Sequence, residues 1–265
     1  MKGASLSSIL KAVVPIAIGL GLVLYSYLST PEEVRSQIYR YVAQADLRFV
    51  GLSLFIALLS HLSRAIRWNY LLRPMGYSVA LVPSALFILM AYFANLGIPR
   101  SGEFLRASSL TTYEKVPFEK AFGTIVTERV IDLIMLFILI GLAMLMQTEL
   151  ILVLVAQNTF TLIFSLLFLL FAVIGLILLV RISSKATGKW GMRLHAFFQG
   201  IQEGLTSVLI MRQTGKFIAH TLFIWVCYVA MFFVIKYTVP ETAELGLSEL
   251  LVAFIAGSFA MTATN

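Results

Sequence analysis

Charge is scarce in this chain. Asp, Glu, Lys and Arg make up 12% of 265 residues, hydrophobic side chains make up 60%, and the mean hydropathy is +0.93. So few charges cannot cover a water-facing surface, which excludes a soluble globular domain and leaves a polytopic membrane protein. Cysteine is all but missing: Cys227 stands alone inside an apolar run, which excludes an intrachain disulfide and a thiolate cluster. The histidines, at positions 61, 195 and 220, are too scattered for a metal site, so neither metal nor cofactor is expected. Acid is scarcer than base, giving a net charge of +7. In a membrane protein these cations set topology and meet anionic lipid, so they do not call for a nucleic-acid partner.

What is present is a succession of apolar runs, at about residues 9–29, 49–67, 82–98, 121–146, 150–180, 217–239 and 247–263. The first ends in Tyr25-Ser26-Tyr27-Leu28, aromatic residues at interfacial depth and not the small residues of a cleavage site, so it reads as a retained span. The run 82–98 is short and stops at Asn95-Leu96-Gly97-Ile98-Pro99. Parity decides its path. Of the 20 Lys and Arg residues, Arg129 is buried either way; if 82–98 returns to its own side, 15 of the others share the N-terminal face and four (Arg35, Arg40, Arg48, Lys236) face the other. If it crosses, the split is six against 13 and contradicts the positive-inside rule.

The expected fold is therefore an all-α polytopic transmembrane bundle of about six spanning helices plus a re-entrant hairpin near residues 82–110. It forms one integral domain over 1–265, multi-pass in the cell inner membrane with its N-terminus cytoplasmic. Within it, residues 182–216 form a basic amphipathic segment on the cytoplasmic side, either lying on the leaflet or packed against the membrane domain. The sequence stops in Ser258-Phe259-Ala260-Met261-Thr262-Ala263-Thr264-Asn265, without a charged anchor, so the domain is expected to be C-terminally incomplete. That run loosely echoes Leu86 to Asn95, as in half of a pseudo-symmetric repeat.

Within the run 121–146 sit Glu128, Arg129 and Asp132. Charges at that depth are costly and face a protein interior or a water-filled cavity. Two acids share at most one internal base, so a further cation is implied, with Arg64, Arg67, Arg100 or Arg106 able to supply it. Such a network either only closes the bundle or also lines a cargo cavity. In Pro99-Arg100-Ser101-Gly102-Glu103-Phe104-Leu105-Arg106, proline and glycine break the incoming helix and Ser101 can cap a new one. Glu103 and Arg106 then share a face, and Arg100 beside free N–H groups suits a lipid phosphate. The alternative is a hairpin tip whose charges only pair with one another. Asn95 can steady the broken helix end or touch cargo, Trp68 reads as an interfacial anchor, and His61 as a packed side chain.

Three segments carry a resemblance: Arg64-Ala65-Ile66-Arg67-Trp68, the stretch Asn95 to Arg106, and Thr127-Glu128-Arg129-Val130-Ile131-Asp132. In this order and spacing they resemble the lysylphosphatidylglycerol synthase transmembrane-region family of flippase-like membrane proteins. The resemblance implies movement of lipids between leaflets by the membrane part, and this chain is not expected to act as a synthase. The expected function is a non-enzymatic lipid translocase that binds a phospholipid or lipid-linked headgroup through Arg64, Arg67, Asn95, Arg100, Glu103, Arg106, Glu128, Arg129 and Asp132. Its partners are membrane lipids and, as an option, a second copy in a homodimer. Two alternatives remain open: an intramembrane lipid-modifying enzyme using Glu103, Glu128 and Asp132 as acid and base, and a non-transporting partner of a synthase.

Overall fold

A computed structural model describes residues 24–25, 27–98, 101–146 and 189–264. Within them every regular element is a helix. In chain order these are α1 (Glu32–Gln44), α2 (Leu47–Leu72), a 3-10 turn (Arg73–Met75), α3 (Leu81–Gly97), α4 (Ser101–Glu114), α5 (Phe118–Met146), α6 (Lys189–Ile210), α7 (Thr214–Ile235), a 3-10 turn (Lys236–Thr238), α8 (Pro240–Ala243) and α9 (Leu247–Thr264). Most of the first expected span, the run 150–180 and Arg100 lie outside the described residues.

Two elements, Leu47–Met75 and Thr214–Thr238, are long and apolar enough to cross a bilayer; α3 and α9 contain shorter apolar helices, Leu81–Asn95 and Leu247–Ser258. Large hydrophobic side chains stand exposed along these helices and α5, including Leu54, Phe55, Phe93, Phe137, Ile138, Leu145 and Val226. Such surface would aggregate in water, and against hydrocarbon it is in its proper solvent.

Helices α2 and α7 pack along one another, and their far ends are tied where Asp46 N–H donates to the Thr238 carbonyl at 3.0 Å. The other end of the bundle is sealed by an apolar cluster of Trp68, Leu72, Val79, Phe87, Ala107, Leu110, Val116, Ala121 and Ile125. Trp68 is therefore not an interfacial anchor. It is fully buried, and its indole N–H donates to Thr124 Oγ1 of α5 at 2.8 Å, inside the bundle.

Helices α3 and α4 form a tight hairpin against α2 and α5. The cap at the break comes from Asn95, whose Oδ1 accepts the Gly102 N–H at 2.7 Å. Ser101 instead donates back to the Ile98 carbonyl at 2.7 Å, tying the new helix to the end of the old one. A Cβ on Gly102 would fall 2.1 Å from the Ala91 carbonyl oxygen, so only glycine lets the two arms meet.

Helix α6 is a packed element and not a free amphipathic strip. A Cβ on Gly123 of α5 would lie 2.1 Å from the Gly200 carbonyl oxygen of α6, and one on Gly204 would lie 2.5 Å from the Gly123 backbone. Lys120 and Glu203 close the same contact at 2.9 Å.

Candidate functional site

Helix α5 carries the site. At 1.5 Å per residue, Glu128 lies about 15 Å and Asp132 about 21 Å along it from Phe118, and α2 brings Arg64 and Arg67 to the same level. Positions 64 and 67 sit one turn apart, so both guanidinium groups reach Asp132. Arg67 donates to Asp132 Oδ1 at 3.1 Å and approaches Glu128 Oε1 at 3.6 Å; Arg64 donates to Asp132 Oδ2 at 3.3 Å. From α4, Arg106 donates to Glu128 Oε2 at 2.5 Å. The cation implied by the surplus of acids is thus supplied three times over.

Glu103 and Arg106 do not pair with each other. Each crosses to α5, Arg106 to Glu128 and Glu103 to Arg129 Nε at 2.5 Å. The hairpin is therefore riveted to α5 by two ion pairs one turn apart, and its tip is not self-contained. Arg129 also comes within 3.7 Å of Asp132, the intrahelical pair expected from their spacing.

Neutral partners complete the layer. Tyr228 of α7 accepts from Arg64 Nη2 at 2.6 Å, and Thr221, one face-repeat earlier, accepts from Arg67 at 3.3 Å. The Arg106 guanidinium lies over the Trp68 ring, 3.7 Å from its centroid, which supports the charge through the ring face. Ser63 and His220 share a hydrogen bond of 2.8 Å between α2 and α7.

Beside this layer is a half-open cavity of about 730 Å³. Its polar lining includes Ser53, His61, Arg64, Tyr92, Asn95, Glu103, Arg129, Asp132, Tyr228 and Ser258; its apolar lining includes Trp225, Met231, Phe232, Ile235 and Phe254. The volume falls within the range of small-molecule and cofactor sites. Because Ser53 and Ile235 also line it, the cavity reaches from the charged layer toward the end of the bundle where α2 begins and α7 stops. The apolar cluster around Trp68 and Leu110 lies on the opposite side of the charges.

The nine expected site residues divide accordingly. Arg64, Asn95, Glu103, Arg129 and Asp132 line the cavity; Arg67, Arg106 and Glu128 stand behind it with no more than 4% exposure; Arg100 is outside the described residues. Sequence reasoning missed Tyr92, Trp225, Tyr228 and Phe232, hidden inside apolar runs. A signal existed in α7, where Thr221, Trp225, Tyr228 and Phe232 recur at steps of four, three and four and so share one face. Among the described residues no group of three His, Cys, Asp or Glu converges as metal ligands would.

Comparison with known proteins agrees with a membrane role. The chain is 30% identical over 99 residues to the UPF0104 membrane protein MJ1595 of Methanocaldococcus jannaschii, a match covering 36% of this chain and 30% of that protein. The chain thus aligns with less than a third of this relative's length. No solved structure matches it. The family described as Lysylphosphatidylglycerol synthase TM region matches residues 12–264, nearly end to end and across all three charged segments, and the chain belongs to that family.

Proposed function

We propose that this protein binds the polar headgroup of a membrane lipid in the cavity beside α5 and moves it between leaflets, without bond-making chemistry. The observation that carries this reading is the two-sided lining of the 730 Å³ cavity: two arginines and two carboxylates on the floor, aromatic and aliphatic side chains along the wall. A headgroup carrying phosphate, alone or with an amine, finds opposite charges there, while the acyl chains lie along Phe232, Ile235 and Phe254. The family supports the reading, since its name refers to the membrane region of a lipid synthase and not to a catalytic domain.

In this scheme the α3–α4 hairpin is re-entrant, entering and leaving on the N-terminal, cytoplasmic face of the inner membrane, and about six other helices span it. The ends joining 73–80, 115–117 and 211–213 then face the cytoplasm with Arg73, Lys115 and Arg212, while the acids Glu241, Glu244 and Glu249 face outward. The same carboxylates serve poorly as an acid and base set, because Glu103, Glu128 and Asp132 are each already held by guanidinium groups.

The test is mass spectrometry of lipids retained by the purified protein, combined with fluorescent-lipid movement in reconstituted vesicles over a panel of headgroups. Retention and movement that depend on the headgroup, and that fall in Arg129→Gln, are expected. Absence of both across the panel would reject the reading, and appearance of a covalently altered lipid would replace it with the enzymatic one.

A further inference from the structure

Adjoining the main cavity is a second, much smaller chamber of about 20 Å³, room for a single small occupant. It is lined by Arg64, Arg106 and Arg129, one carboxylate (Glu103), and Ala91, Tyr92 and Asn95 among others. Two of its arginines are nine-tenths or more buried and incompletely satisfied: Arg106 has no hydrogen-bond partner for Nε or Nη2 among the described residues, and Arg64 has none for Nε. Stacking on Trp68 uses the face of the Arg106 guanidinium and leaves its edge N–H groups available.

Charge decides what the occupant is. With Arg129 and Glu103 paired to each other, the remaining charges are Arg64, Arg67 and Arg106 against Glu128 and Asp132, one positive charge in excess. A water would satisfy an N–H but leave that excess in a low-dielectric interior, which is the more costly of the two deficits. We propose that the chamber between Arg106 and Arg64 is a site for a single monatomic anion, a halide such as chloride. The chamber shares Arg64, Tyr92, Asn95, Glu103 and Arg129 with the main cavity and is its inner recess, too small for a phosphate group.

The experiment is thermal unfolding of the purified protein in detergent at constant ionic strength, with chloride or bromide exchanged against gluconate. Saturable stabilisation by both halides is expected, with a bromide anomalous-scattering peak between Arg106 and Arg64 in crystals. Arg106→Gln should abolish the effect but risks the fold, so Glu103→Gln is the second variant. It removes the only carboxylate that lines the chamber among the described residues, and should lower the halide concentration for half-maximal stabilisation by at least roughly tenfold. Equal stability in chloride and gluconate, or a halide response that Glu103→Gln leaves unchanged, would overturn the proposal and assign the chamber to water. The readout involves neither lipid nor transport, so its failure leaves the lipid reading standing.

Discussion

Glu128 and Arg129 are neighbours on α5, yet their surroundings are opposite. Glu128 is 1% exposed and held by Arg106 and Arg67; Arg129 is 46% exposed and held by Glu103 at the rim of the cavity. Adjacent positions on a helix point about 100° apart, so one face of α5 turns into the bundle and the next opens on the cavity. The inner pairs close three helices around a buried layer. The outer pair is partly exposed and lines the cavity. Charge within the bundle thus has two settings in this protein, a buried pair at Glu128 and an exposed, cavity-lining pair at Arg129.

The strongest way to break that comparison is to remove the inner acid. Glu128→Ala leaves Arg67 and Arg106 buried without their shared carboxylate, and should cost roughly 3 to 5 kcal/mol, seen as lost folded yield and a lowered unfolding midpoint in detergent. Wild-type stability in this variant would mean the inner layer is not architectural. Next in size is Gly102→Ala, whose methyl group meets the Ala91 carbonyl oxygen; prising the hairpin arms apart should cost about 1 to 3 kcal/mol by the same measurement. Asn95→Ala removes the cap on α4 and should cost about 1 kcal/mol. Because Asn95 also lines the cavity, lipid retention measured on the same sample sharpens the comparison: retention that falls no more than stability assigns Asn95 to the inner, structural group.

These contrasts show what a sequence can reveal in a membrane. Arg64, Arg67, Glu128 and Asp132 stand out because a lone charge in an apolar run is conspicuous, and their spacing of three and four residues puts each pair on one face of its helix. A break between two helices was legible from Pro99 and Gly102 in the sequence, and α3 and α4 are two helices packed on one another. Partner choice was not legible. Glu103 and Arg106 lie one turn apart and look like a pair, but which acid takes which arginine depends on how α4 sits against α5, and that depends on Gly102 meeting Ala91. The cavity's aromatic wall escaped for another reason: Trp225, Tyr228 and Phe232 sit among Val, Ile and Phe, where hydropathy alone does not separate a lipid-facing ring from one facing a cavity. Trp68 went astray on its neighbour, because an indole beside an arginine is the usual signature of an interface, and here the arginine itself is buried.

The smallest effect on stability is expected at the outer pair, and it is the one that separates the two regions most cleanly. Glu103 and Arg129 are 33% and 46% exposed, so water already solvates both and their pairing is worth about as much as an ordinary accessible ion pair. A double-mutant cycle of Glu103→Gln and Arg129→Gln at fixed salt should return a coupling of roughly 0.2 to 1 kcal/mol in unfolding free energy. Binding should respond differently, because Arg129, unlike Arg64, offers the cavity floor a guanidinium that is not deeply buried. Retention of an anionic or zwitterionic lipid by Arg129→Gln should fall about tenfold, equivalent to ~1.4 kcal/mol, while Glu103→Gln, which frees that guanidinium, should hold or raise it. Opposite signs in binding with near-equal stability place the pair on the functional side of α5. Equal losses in both assays would erase the distinction and make Arg129 one more strut beside Glu128.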